Sequence, residues 1–325
     1  MTPVQRSRIV LGVGASHSTL MNTHWEQTQD KDAATRFKTA LAQAEASIAA
    51  AFPDAVVIIG SNHFRGFWLD LMPAFTIGIG ECIASGESGT PAGPQRVDTR
   101  LARHLASDLT ENSAFDVAFS ARLQIDHGQS HAIQYLLAGR QVPIVPVVIN
   151  VFAPPLPTLR RCEEFGRALR DAITSFAEPR RVAVIASGGL SHQLPWPDWR
   201  DPNGDDEEFI VQAWLNGRGD WSSYDTRRRD IIRAAEPDIR TDFDREFLAL
   251  IESGHAAQIA DWSSQQLDIA AGNGGQEIRT WMAMAASLSH APGRRLAYEP
   301  IAEWLTGMAV AIITPRPDEP GNGAP

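Results

Sequence analysis

The chain has 325 residues, 43% hydrophobic and 21% charged, with a formal net charge of −10. That composition belongs to a globular chain long enough to bury a sizeable core, and it argues against nucleic acid as a partner. No apolar stretch approaches the roughly 20 residues of a membrane span, no signal segment opens the chain, and Cys82 and Cys162 form no disulfide framework, so a cytoplasmic location is the expectation.

In chain order, Arg8–Val13 (RIVLGV) reads as a strand, and Asp32–Phe52 as an alanine-rich helix closed by Pro53. Ala55–Gly60 (AVVIIG) is an unbroken apolar run, the mark of a strand covered on both faces. Asp98–Leu109 and Gly128–Leu137 read as helices. Val142–Asn150 (VPIVPVVIN) reads as a strand whose prolines predict an edge or a bulge. Leu159–Phe176 is helical, Arg181–Ile185 a strand, and Asp205–Leu215 helical.

After about residue 200 the strands are expected to stop. Helical segments follow at Thr226–Ala235, Asp242–Ser253, Ser264–Ala270, Glu277–Ser287 and Ile301–Met308. Strands alternating with helices predict an α/β fold, a layered mixed sheet flanked by helices with additional C-terminal helices covering it. One domain over residues 1–314 is expected, with a disordered Pro- and Gly-rich tail over 315–325.

Three strand ends carry a histidine: Ser16-His17-Ser18, Asn62-His63-Phe64, and Gly188-Gly189-Leu190-Ser191-His192. A lone loop histidine is ordinarily a polar surface residue. Three in the same kind of place are candidates for one shared site, because ligands of layered α/β folds bind outside the carboxyl ends of the strands. Familiar motifs fail. GVGASH lacks the third glycine of a dinucleotide loop, there is no P-loop or HExxH, and SGGLSHQ is no nucleophile elbow.

Asp126-His127-Gly128 is a further polar cluster. His127 and His131 stand four apart, either as a metal pair or as one functional and one helix-surface histidine, the second being preferred. Arg227–Arg229 reads as a solvated helix face, and His24, His104, His255 and His290 as structural or exposed. Glu277 opens a helix behind two glycines, where an acidic group suits the helix dipole or faces a cation.

Taken together, SHSTL (Ser16–Leu20), NHFRGFWLDLMPAF (Asn62–Phe75), IDHG (Ile125–Gly128), VPIVPVVIN (Val142–Asn150), SGGLSHQ (Ser187–Gln193), EIRTW (Glu277–Trp281) and YEPIAEW (Tyr298–Trp304) resemble the class III extradiol ring-cleavage dioxygenases. That superfamily includes the catalytic subunit of protocatechuate 4,5-dioxygenase, and the chain is most similar to its single-chain 2,3-dihydroxyphenylpropionate/2,3-dihydroxycinnamate 1,2-dioxygenase branch.

The resemblance implies one ferrous ion, Fe2+, held by His17, His63 and Glu277. A two-histidine, one-carboxylate face leaves positions open for a catechol and dioxygen. It implies that His192 is the general base and His127 the acid, that the substrate is a phenylpropanoid catechol, that the product is of the 2-hydroxymuconic-semialdehyde type, and that the chain forms a homo-oligomer. It leaves a gallate-like substrate and a divalent-metal hydrolase as alternatives. The glycines before His192 would allow a tight turn beside the ion with no Cβ in the way. Departures from the family pattern are Asn62 before His63, Arg65 in place of a neutral residue, SHST for SHSP, and His131. Arg65 is the candidate partner of a substrate carboxylate, or a surface residue.

Overall fold

Unbroken apolar runs dictate the centre of the fold. In the computed structural model, which describes residues 6–316, β1 (Arg8–Ala15) leads into a short helix α1 (Leu20–Thr23) and a long helix α2 (Lys31–Ala51). Next come β2 (Ala55–Ser61), β3 (Phe75–Ser85), β4 (Ala92–Gln95), α3 (Thr99–Glu111) and β5 (Ala118–Ile125). Helix α4 (His127–Ala132) runs into a π-helical turn over Ile133–Leu137, followed by β6 (Ile144–Ile149), α5 (Leu159–Ser175) and β7 (Arg181–Ser187). Five helices come next: α6 (Asp205–Asn216), α7 (Ser222–Arg233), α8 (Thr241–Ser253), α9 (Ser264–Ala271) and α10 (Ile278–Ser287). The antiparallel pair β8 (Gly293–Ile301) and β9 (Thr306–Ile313) closes the described chain. The expected tail lies outside the described residues from 317 onward. No helix among the described residues is long and apolar enough to cross a membrane.

Nine strands form one mixed sheet, ordered β4-β3-β6-β2-β7-β1-β9-β8, with β5 paired to β3 off that path. The central four, β6, β2, β7 and β1, are parallel. Side chains alternate across a strand, so Val57 and Ile59 enter the core under α3, α5, α8 and α10, while Val56 and Ile58 enter the core under α2. Both faces are covered, which is why the strand reads as continuous hydrophobicity. The covering helices start where side chains cap them: Asp30, Asp98 and Thr158 accept from Ala33, Leu101 and Arg161 backbone N–H groups.

The structure corrects three expectations. β6 is not an edge strand: it lies between β2 and β3. Its one proline is tolerated because the antiparallel ladder to β3 stops at Val147, beside Pro146 with its missing N–H. Strands do not end near residue 200, since β8 and β9 extend the sheet beyond β1. Ile301–Met308 is not a helix: it is the end of β8, a three-residue turn Ala302–Trp304, Leu305 at φ 59°, and the start of β9. The small and apolar residues of β9 are buried on both faces, which erases the alternation that would mark a strand.

Gly14 lets Trp281 of α10 lie flat on β1: a Cβ there would stand 2.3 Å from the indole Cζ3. Gly14→Ala is expected to lower the unfolding free energy by about 1–3 kcal/mol, the cost of overpacking. A reduced urea midpoint at unchanged slope would register it; an unaltered midpoint would contradict this account of the contact.

Candidate metal centre and cleft

Three neighbouring parallel strands end on one edge of the sheet. β7 lies between β2 and β1, so the residues after Ser61, Ser187 and Ala15 emerge side by side. His17 stands two residues beyond β1 and His63 two beyond β2. Glu277 arrives from the other direction, at the N-cap of α10. His17 Nε2 lies 3.3 Å and His63 Nε2 3.5 Å from Glu277 Oε1, and all three side chains are buried.

Each of these side chains is held by a partner on its far side. His17 Nδ1 is 3.0 Å from Ser187 Oγ, and His63 Nδ1 is 3.1 Å from Asp126 Oδ1. Asp126 also accepts from the His63 backbone N–H at 2.6 Å and caps α4 through Gly128 N. A carboxylate can only accept, so Asp126 fixes the His63 proton on Nδ1 and turns Nε2 toward Glu277. Glu277 Oε2 accepts from Gly189 N at 2.6 Å, and Oε1 from the Ser61 hydroxyl. Burial pushes the Glu277 carboxyl up, but His17 and His63 outweigh it and hold the group well below the usual carboxylate range, hence ionised.

This donor set fits a divalent metal ion. His17 Nε2 is buried without a hydrogen-bond partner, facing a carboxylate oxygen and near a second imidazole. Outer partners that orient imidazole donors, as Asp126 does, are the usual companions of metal ligands. His127 also reaches this group: one atom each from His17, His63 and His127 lie within 4.8 Å of one another.

His127 is anchored by a residue that the sequence reading missed. Glu87, in a short turn (Glu87–Gly89), accepts from His127 Nδ1 at 2.7 Å and from its backbone N–H at 3.0 Å. The flanking glycines adopt positive φ, 72° at Gly86 and 75° at Gly89. The glycines mark a turn, but nothing local signals Glu87's partner, which lies 40 residues further along the chain. Arg65 Nη2 in turn sits 3.0 Å from Glu87 Oε2 and 3.5 Å from Asp225 Oδ1, with its guanidinium 3.7 Å over Trp221. Arg65 is therefore buried and paired through Nη2, while its Nη1 is buried without a hydrogen-bond partner and the side chain lines the cleft. Burial and then the neighbouring His63 push His127 down to about 4, against the pull of Glu87.

His192 lies on the same cleft wall. Its Nδ1 is 2.8 Å from the Leu190 carbonyl, which can only accept, so the proton sits on Nδ1 and the Nε2 lone pair is free. Burial holds this ring below the ordinary histidine pKa. Ser191 is structural: its N–H and hydroxyl both donate to buried Asp244 at 2.8 Å, and Tyr298 donates to the same carboxylate. The glycines beside His192 are required by close approach, not by φ. A Cβ at Gly189 would stand 3.0 Å from His192 Cε1 and 3.1 Å from Glu277 Oε2, and one at Gly274 would collide with the ring at 2.1 Å.

The chain matches, over residues 11–309, the family described as the catalytic LigB subunit of aromatic ring-opening dioxygenase. It belongs to this family of aromatic ring-opening dioxygenases. It is 36% identical over 279 residues to a 2,3-dihydroxyphenylpropionate/2,3-dihydroxicinnamic acid 1,2-dioxygenase of Photorhabdus laumondii, covering 81% of this chain and 85% of that one. A protein of the same name from a Rhodococcus species is 33% identical over 309 residues, 91% of this chain and 95% of that one. A solved structure of an uncharacterised Escherichia coli K12 protein superposes with a TM-score of 0.51 at 13% identity, covering 94% of this chain and 99% of the other. That likeness speaks to fold alone. Family membership implies a metal cofactor for this ring-opening dioxygenase.

Within this dioxygenase, His131 departs from its expected place. It is buried, 3% exposed, with its ring centroid 5.9 Å from that of His17, because α4 turns this face inward. His24 lines the cleft, and so do Arg228 and Arg229 of the supposedly solvated basic run. Helix α7 leans over the cleft, a placement that helical periodicity alone could not reveal.

Asp126→Asn would keep the volume and lose the charge behind His63. Metal titration of the purified variant is expected to give an affinity about 10–100-fold weaker. An unchanged dissociation constant would mean that Asp126 does not serve the metal group.

Proposed function

We propose that this dioxygenase uses ferrous iron to open the ring of 3-(2,3-dihydroxyphenyl)propionate with dioxygen, cleaving beside the diol and giving a 2-hydroxymuconic-semialdehyde-type product. The observation that carries the reading is the convergence of His17 and His63 on ionised Glu277, 3.3 and 3.5 Å from its Oε1, on a cleft that His127 and His192 also line. The names of these two relatives support the substrate. Glu277, rather than His127, is the proposed third ligand, because its Oε1 faces both His17 Nε2 and His63 Nε2 and the carboxylate contributes negative charge. When bound, the ion supplies open positions for the two catechol oxygens and for dioxygen.

The chain's own residues handle the protons. His192, neutral near pH 7 with a free Nε2, accepts a proton from the entering catechol. His127 also starts neutral. It would take the second catechol proton, with Glu87 stabilising the resulting imidazolium, and return that proton to an oxygen atom as the ring opens. Arg65 holds Glu87 in place from the far side. Leu194, Trp196, Trp304 and Leu305 supply apolar walls for the aromatic ring.

The reading takes residues 1–314 as one catalytic unit, consistent with nine described strands in one sheet. Two buried free thiols, Cys82 and Cys162, fit a cytoplasmic location, and a homo-oligomer is expected on the family resemblance.

The chain reconstituted anaerobically with ferrous iron should consume oxygen and form a ring-opened chromophore with 3-(2,3-dihydroxyphenyl)propionate. No cleavage product across a broad catechol panel would overturn the proposal. Glu277→Ala is expected to lose iron, whereas His127→Ala and His192→Ala keep it. Turnover of His192→Ala should fall by about 10²–10⁴-fold. Iron retained and turnover intact in Glu277→Ala would remove it from the ligand set. Glu87→Gln should keep iron and lower kcat by about tenfold or more through His127; wild-type kcat would dismiss Glu87 as its positioning residue.

A further inference from the structure

The cleft around the metal group is lined by cationic side chains. Four arginines and two glutamates line the cleft, and one of those glutamates, Glu277, is engaged with His17 and His63. This excess stands out in a chain of net charge −10. The arginines differ in what they already hold. Arg65 is paired to Glu87 at 3.0 Å, and Arg229 to Asp225 at 2.5 Å. Arg233 is half exposed on the rim.

Arg65 Nη1 is also buried without a hydrogen-bond partner, but Arg228 differs in having no carboxylate within hydrogen-bond distance. It is 8% exposed, its Nε has no hydrogen-bond partner, and its guanidinium comes no closer than 3.7 Å to a carboxylate, at Asp225 Oδ1, among the described residues. Besides the charges of Glu87 and Asp225, it is compensated by the Trp221 ring, 4.7 Å away, whose other guanidinium neighbour is Arg65 at 3.7 Å. A buried guanidinium left without hydrogen bonds is costly unless an anion completes it. The strain shows in its acidity: burial and then the Arg65 charge push Arg228 down to about 10.

We propose that Arg228 of α7 binds the side-chain carboxylate of the catechol substrate, and so selects catechols that carry an acidic arm. The inference rests on the ring-cleavage reading above and deepens it. A planar guanidinium offers two parallel N–H donors to a carboxylate. The indole of Trp221 holds that plane, and Arg65, tied to Glu87 and Asp225 through Nη2, adds charge beside it. The diol end would lie at the metal group and the acidic end under α7. One cleft thus carries both the reacting end and the recognised end of the substrate.

The test compares two substrates on the iron-loaded full chain: 3-(2,3-dihydroxyphenyl)propionate and uncharged 3-methylcatechol. The readout is the ratio of their kcat/KM values. Arg228→Ala is expected to lower that ratio about 10- to 100-fold, mainly through KM of the acid. Arg228→Lys, which keeps the charge but not the fork, should recover part of it. A ratio unmoved in both variants would overturn the proposal, whether both substrates are retained or both are lost equally through a structural defect. A wild-type enzyme that cleaves 3-methylcatechol but not the acid would overturn this proposal together with the substrate named above, leaving ring cleavage standing. A wild type that cleaves neither would be the failure of the ring-cleavage reading itself.

Discussion

An ionised carboxylate buried between two imidazoles is the constraint on which the rest of this structure depends. Glu277 is 1% exposed and sits with His17 and His63 at the mouth of the sheet. Burying a charge there is costly unless it is paired. The protein meets that cost from three separate places: the Ser61 hydroxyl at the end of β2 and the Gly189 N–H just past β7 donate to the carboxylate, and the imidazole of His17 beyond β1, with that of His63, favours its charged form. Two of those places, the ends of β2 and β7, are paired parallel neighbours, so sheet register sets the spacing of the site. The glycines after β7 follow from the same crowding, since a Cβ at Gly189 would press on Glu277, Thr306 and His192 at once.

A second layer decides what each ring can do. Acceptor-only groups behind the imidazoles, Asp126 behind His63, Glu87 behind His127 and the Leu190 carbonyl behind His192, pin protons on Nδ1 and leave Nε2 free. Burial then holds His127 and His192 neutral. Donor geometry and proton inventory are thus fixed by backbone and carboxylate groups behind the rings. Arg65, Trp221, Asp225 and α7 extend the same logic outward, from proton control to recognition of charge.

Legibility in the sequence followed burial and chain distance. The runs AVVIIG and RVAVI announced central strands because both faces are covered. β9 went unread for a related reason: its small residues, TGMAVAII, are buried on both faces beside a turn that looked helical. β6 was misplaced at an edge because proline usually rules out a central strand, and only the pairing shows the ladder to β3 ending beside Pro146. His17, His63, His192 and Glu277 stood out through their positions at element ends. Glu87 and Arg228 did not, because their partners, His127 and the cleft wall, lie 40 residues or more away along the chain, or on a helix whose inner face is invisible to a charge pattern.

The sequence by itself determined the layered α/β class, the strands that carry the histidines, and the residue types of the site, because alternation, apolar runs and turn glycines are local signals. Only the tertiary structure decided that His131 is buried beside His17, that Arg65 is spoken for by Glu87, and that Arg228 enters the cleft. Each of those outcomes is a choice of partner across the fold, made by packing and charge compensation between segments that share no local pattern.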